Sequence, residues 1–202
     1  MAGVRLGILG GTFDPVHSGH LALAEQACEQ LALERVLWVP SGDPWRKTDR
    51  TVTPAMHRAA MVRLAIEGQT SYELCLLEIE RSGPSYSVET LAEVRRNEPG
   101  SELFFLLGLD ALEDLPNWCE PTRLIELATL AVAARGGRRP VAGELDRLVP
   151  GLDRRIVWLE MPHLEVSATE LRRLASEGAG LRDRTPASVE AYIYEHRLYR
   201  RD

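Results

Sequence analysis

The sequence predicts an α/β fold: a doubly wound parallel sheet forming one domain over residues 1–202. Three observations carry that expectation. Short apolar, strand-like runs alternate with segments of helical pattern, as in a parallel sheet covered on both faces. The residues that packing explains least fall just beyond the carboxyl ends of those runs, where open α/β sheets bind ligands. And a chain of 202 residues, 45% hydrophobic and 27% charged, suits one domain with a sizeable core.

Taken in order, Val4 to Leu9 is a short buried strand, and Leu21 to Leu33 carries the apolar face of a helix. Arg35 to Val39 is a second strand, ended by Pro40, and 41–53 is a polar loop. Thr53-Pro54 pairs a capping residue with proline at the first helical position, opening a helix to about Glu67. Tyr72 to Ile79 is a third apolar run, Ser82-Gly83-Pro84 a turn, and a helix follows from about Ser87 to Arg96. Glu102 to Leu107 is a strand ended by Gly108; a short helix then runs to Leu115, where Pro116 stops it. Pro121 opens a helix to Leu127, and Thr129 to Ala134 is a strand. Residues 136–140 form a loop with no strong signal. Arg155 to Leu159 is the last strand, and two helices follow, from about Ser167 and from Thr185-Pro186. No internal repeat, linker or low-complexity tract interrupts the pattern, so right-handed crossovers should build a single sheet.

The first strand hands over to its helix through Gly10-Gly11-Thr12-Phe13-Asp14-Pro15-Val16-His17-Ser18-Gly19-His20. Paired glycines let a backbone approach a phosphate closely, and the helix start offers N–H groups and a positive dipole end. His17 and His20 are three apart and share one face of the first turn. The spacing excludes familiar alternatives: neither G-x-G-x-x-G nor G-x-x-x-x-G-K-[ST] is present, and no H-E-x-x-H zinc pattern occurs.

Composition narrows the classes further. A net charge of −6 argues against coating nucleic acid but allows a local positive pocket for a small phosphorylated ligand. Cys28, Cys75 and Cys119 are odd in number and widely spaced, which predicts reduced thiols in a cytoplasmic protein. No apolar run is long enough to span a membrane, and the first residues lack a signal-peptide pattern.

Other clusters fall on the same rim. The second strand leads into Pro40-Ser41-Gly42-Asp43-Pro44-Trp45-Arg46-Lys47, the fourth into Gly108-Leu109-Asp110, the fifth into Arg135, and the last toward Ser167 to Arg172. Each has a plain structural explanation as well. Lys47 could be a solvated charge, Asp110 a helix cap, Ser167 with Glu170 a capping box, and Trp118 a packed aromatic.

The glycine loop matches every specified position of G-G-[ST]-F-[DN]-P-x-H-x-G-H, and so resembles the nucleotidyltransferase superfamily, whose H-x-G-H pair holds ATP phosphates. Pro40-x-x-x-Pro44-x-x-Lys47, Ser85-Tyr86-Ser87, Gly108-x-Asp110-x-Leu112, Leu115-Pro116-Asn117-Trp118 and Val166 to Arg172 resemble, in order, the further motifs of bacterial nicotinate-nucleotide adenylyltransferases. Trp45-Arg46 stands where Pro-His is usual, Ser87 where Thr is, and Cys119 where larger residues are common. The resemblance implies a Rossmann-like fold and transfer of AMP from ATP, with Mg2+, to nicotinate mononucleotide. It implies catalytic roles for His20, His17, Thr12 and Arg172, and an ATP site of Gly10, Gly11, Thr12, Phe13, His17, His20, Gly108, Asp110, Arg135, Ser167, Thr169 and Arg172. Lys47, Ser87, Trp118 and Cys119 would face the mononucleotide, with backbone N–H groups near Ser87 and Cys119 toward the pyridine substituent. Neither nucleic acid nor membrane is an expected partner, and homo-oligomerisation is left open. Two rivals are a phosphopantetheine adenylyltransferase, whose chains are usually shorter and lack the Ser85 and Trp118 elements, and a nucleotide sensor without catalysis.

Overall fold

The computed structural model describes residues 3–44, 51–134, 139, 143–162, 164–181 and 183–200. Six strands form one sheet: β1 (Arg5–Gly11), β2 (Arg35–Pro40), β3 (Tyr72–Leu74), β4 (Glu102–Gly108), β5 (Thr129–Ala133) and β6 (Ile156–Leu159). The order is β3-β2-β1-β4-β5-β6, every pairing parallel. The helices are α1 (Ser18–Leu31), α2 (Ala55–Ala65), α3 (Leu77–Glu80), α4 (Ser87–Asn97), α5 (Leu109–Glu113), α6 (Pro121–Leu127), α7 (Glu144–Leu148), α8 (Ala168–Ser176) and α9 (Ala187–Glu195).

The strands alternate between two apolar layers, because successive side chains point to opposite faces. Val36, Trp38, Phe104 and Leu106 pack with α1, α2, α8 and α9 on one face. Leu37, Val39, Leu103, Phe105 and Leu107 pack with α4, α5 and α6 on the other. Both faces are dry, which is why the strands lack polar alternation. Strand order reverses between β1 and β4, and crossovers diverge there to leave a crevice beyond the strand ends.

Several boundaries differ from the sequence expectation. Tyr72 to Ile79 is not one strand: β3 pairs only with Val36–Trp38 at the sheet edge, and the chain then turns into α3, burying Glu78. β1 runs on through Gly10 and Gly11, which pair with Val39 and Pro40. The first helix begins at Ser18 rather than Leu21, because the histidine turn is already helical. Pro54, not Thr53, is the cap of α2. Pro116 does not stop a helix but sits inside a separate 3-10 turn, Leu115–Asn117. α7 and a 3-10 turn at Leu152–Arg155 carry no expected signal, and β6 starts at Ile156. Among the described residues no helix is long and apolar enough to cross a membrane.

Candidate active site

The segment after β1 is shaped by its own side chains. A Cβ on Gly11 would lie 3.1 Å from the Phe13 ring, so glycine lets that ring fold back beneath the strand end. Phe13 takes φ 50, a left-handed conformation uncommon outside glycine. Its ring is 2% exposed, packed 5.6 Å from Trp38 and 5.0 Å from His20 between centroids. With the ring enclosed, the part of Phe13 that faces outward is its backbone.

His17 caps α1 and His20 occupies its third position. The His17 N–H donates to His20 Nδ1 at 3.2 Å, and the rings stack 3.7 Å apart. With Nδ1 accepting, the neutral His20 ring carries its proton on Nε2, which makes that atom a donor. The positive end of the α1 dipole lies at the same place.

Segments far along the chain fasten this loop. Arg172 Nη1 donates to the Asp14 carbonyl at 2.8 Å, and Nη2 to Thr169 Oγ1 at 3.0 Å. Arg172 thus holds the loop as well as sitting beside the expected phosphate site. The Tyr199 hydroxyl donates to Asp14 Oδ1 at 2.9 Å, and Thr185 Oγ1 to the Val16 carbonyl at 2.9 Å. Burial first, then the Asp14 charge, push the Tyr199 phenol well above its ordinary range, so it remains a donor. Ser167 caps α8 as expected, accepting from the Glu170 N–H at 3.2 Å.

Two cavities flank the loop. The larger, about 780 Å3, is lined by His17, His20, Gly108, Glu165 and Ser167. The smaller, about 330 Å3, is lined by Thr12, Glu78, Ser87, Asp110, Trp118 and Cys119, together with Gly10 and Gly11. The beginning of the glycine loop thus faces one cavity and its histidines the other. Asp110 lies in the wall of the smaller cavity and Gly108 in that of the larger. Thr169 lines neither and is exposed at the start of α8. Trp118 is half-buried, edge-on to Phe105 at 6.2 Å, and its Nε1 donates to Asp114 Oδ2 at 3.1 Å, which fixes the plane of the indole. Lys47 and Arg135 lie outside the described residues, as do Trp45 and Arg46.

Sequence reasoning missed four residues here: Arg58, Glu78, Asp114 and Tyr199. Arg58 is 1% exposed. Its Nη1 donates to the Thr12 carbonyl at 2.8 Å and to Ser41 Oγ at 3.3 Å. Nη2 donates to the Gly42 carbonyl at 3.2 Å, and Nε to the Thr53 carbonyl at 2.8 Å. Glu78 accepts from Thr90 Oγ1 at 2.6 Å. Burial raises its carboxyl above the usual range, opposed by hydrogen bonds from Thr90 and Ser85 and by the charges of Arg81 and Arg58. Ser85 Oγ in turn accepts N–H bonds from Gly42 at 2.9 Å and Asp43 at 3.2 Å. One signal existed for Arg58: it precedes Met61 and Val62 by three and four residues, on the apolar side of its helix.

The chain is similar to several known proteins. Residues 8–174 match the cytidylyltransferase-like family. A probable nicotinate-nucleotide adenylyltransferase of Thermomicrobium roseum is 43% identical over 196 residues, covering 97% of this chain and 92% of that one. Another, of Dehalococcoides mccartyi, is 41% identical over 203 residues and the whole of both chains. Among solved structures, the Plasmodium falciparum nicotinic acid mononucleotide adenylyltransferase complexed with NaAD superposes with a TM-score of 0.77, covering 97% of each chain. At 19% identity that likeness shows the shared fold.

Proposed function

Since the chain belongs to the cytidylyltransferase-like family and, within it, to the nicotinate-nucleotide adenylyltransferases, we propose that it transfers the adenylyl group of ATP to nicotinate mononucleotide. The products are deamido-NAD and pyrophosphate, a step of NAD biosynthesis. The observation that carries this reading at the level of the site is the pair of cavities sharing one glycine–histidine loop.

A 5′-phosphate oxygen of the mononucleotide attacks the α-phosphorus of ATP. The bond from that phosphorus to the bridging oxygen breaks, and pyrophosphate leaves with the electron pair. The nucleophile is already an anion, so the protein need supply only position and charge stabilisation. ATP occupies the larger cavity, its phosphates against the start of α1. His20 Nε2 and His17 donate to phosphate oxygens, and Thr12 with the glycine backbone cradles the reacting group where the cavities meet. Gly108 and Ser167 flank the adenosine, with Thr169 and Arg172 on the phosphate side. Mg2+ bound with ATP would supply further neutralisation of the phosphate charge.

The mononucleotide occupies the smaller cavity. Trp118 stacks on the pyridine, Asp110 accepts from ribose hydroxyls, and Lys47 meets the phosphate. N–H groups at Ser87 and Cys119 favour a carboxylate, which only accepts hydrogen bonds; a carboxamide turns its own donors toward them. Pyrophosphate release measured side by side with nicotinate and nicotinamide mononucleotide tests the assignment. The acid should be preferred by about 10⁴–10⁵ in kcat/KM. Comparable efficiencies would overturn the pyridine assignment, and no release with either would remove the reading altogether.

A further inference from the structure

We propose that Arg58 is a positioning residue that sets the separation between the two substrates by tying the phosphate loop to the loop after β2. The inference rests on the adenylyltransferase reading for the identity of those substrates, but its geometry stands apart from it.

Arg58 donates to three carbonyls from three segments: Thr12 after β1, Gly42 after β2, and Thr53 at the entrance to its own helix. An enclosed guanidinium is costly unless its hydrogen bonds are met. Here they are met by groups that do not titrate, and the buried Glu78 carboxyl is near enough for its charge to interact with that of Arg58. A planar fork can address several carbonyls at once; a lysine ammonium on a flexible stem cannot hold the same angles.

Each bonded carbonyl fixes a peptide plane. Holding the Thr12 carbonyl toward Arg58 sends the next N–H, that of Phe13, to the opposite side, at the residue forced to φ 50. Gly42 is held from both directions, its carbonyl by Arg58 and its N–H by Ser85. A Cβ there would come within 2.0 Å of the Glu78 carbonyl oxygen, so glycine is needed for the loop to seat against α3. The wall of the mononucleotide cavity is thereby stitched to Ser85 and Glu78, and Arg58 joins that wall to the loop carrying Thr12. In-line transfer depends on the spacing of the two phosphates, and a misplacement of about 1 Å can cost about 10² in rate.

The test compares wild type, Arg58→Lys and Ser41→Ala below their unfolding temperatures, with ATP, Mg2+ and nicotinate mononucleotide. Wild type must release pyrophosphate; if it does not, the adenylyltransferase reading fails, whatever Arg58 does. With wild type active, a folded Arg58→Lys should lose about 10² in kcat. Its calorimetric Kd values for ATP alone and for the mononucleotide alone should stay within about threefold, because each half-site remains intact. Wild-type kcat in folded Arg58→Lys overturns the proposal, as does a loss explained by weaker binding of one substrate. Should Arg58→Lys fail to fold, Ser41→Ala decides. It removes one hydrogen bond of the clamp without leaving a buried charge, and should lower kcat by about 2–10-fold at unchanged single-substrate Kd. Unchanged kcat there overturns the proposal equally.

Discussion

The two cavities are built by opposite means. The larger takes its polar lining from helix starts: His17 and His20 at α1, and Ser167 at α8. Within each of these two turns the polar residues are near neighbours in sequence. The smaller gathers Thr12, Glu78, Ser87, Asp110 and Trp118 from five separate segments, held by Arg58, Ser85 and the Trp118–Asp114 bond. Phosphate is a spherical, multiply charged target that any ring of donors can serve, so a local turn suffices. A pyridine ring with one substituent must be met on a face and along an edge, and that takes groups from several directions.

Substitutions can separate the two constructions. The largest effect should come from the local wall: His20→Ala should lower turnover by about 10²–10³ with little change in Tm, as for loss of a donor to developing transition-state charge. Near-normal turnover would remove His20 from the chemistry. Next, Trp118→Ala should raise the KM of the mononucleotide, losing the roughly 1–3 kcal/mol that stacking on an aromatic supplies, while the Kd of ATP alone stays put. An unchanged KM would return Trp118 to a packing role against Phe105.

Tyr199→Phe probes the fastening of the loop rather than either wall. Loss of a hydrogen bond to the buried Asp14 should cost about 1.5–3 kcal/mol of stability, seen in denaturant midpoints. A change below about 0.5 kcal/mol would mean the bond does not hold the loop. The smallest effect is remote from both cavities. Burial first, then the charges of Cys28, Glu25 and Glu29, raise the Tyr72 phenol from an ordinary value of 10.0 to about 12. Between those values the unfolded chain ionises this group and the folded one does not. Its contribution is therefore complete below pH 10 and is lost as pH rises through 12. Tyr72→Phe should flatten the fall in stability over that range, and equal slopes in the two proteins would contradict the assignment.

This contrast also explains what was legible in advance. The alternating strands and helices, the glycine–histidine turn and the Ser167 cap follow from neighbouring residues, and they recur in the structure near their expected bounds. The end of β3 was not legible, because a three-residue edge strand pairs with a single neighbour and its apolar continuation folds into α3 instead. Arg58 and Glu78 look like ordinary surface charges until the folded chain encloses them. Tyr199 acts on Asp14 across 185 residues, a separation no local pattern encodes.

That last separation has a consequence for biogenesis. The groups that secure the glycine–histidine loop, Arg172, Thr185 and Tyr199, are made 158, 169 and 185 residues later than their partners. Local pairing of β1 with β2 can begin during synthesis, but the glycine–histidine turn stays loosely held until α8 and the segment beyond α9 dock. A nascent chain stalled before that point carries the complete motif and still lacks the bonds that set its shape.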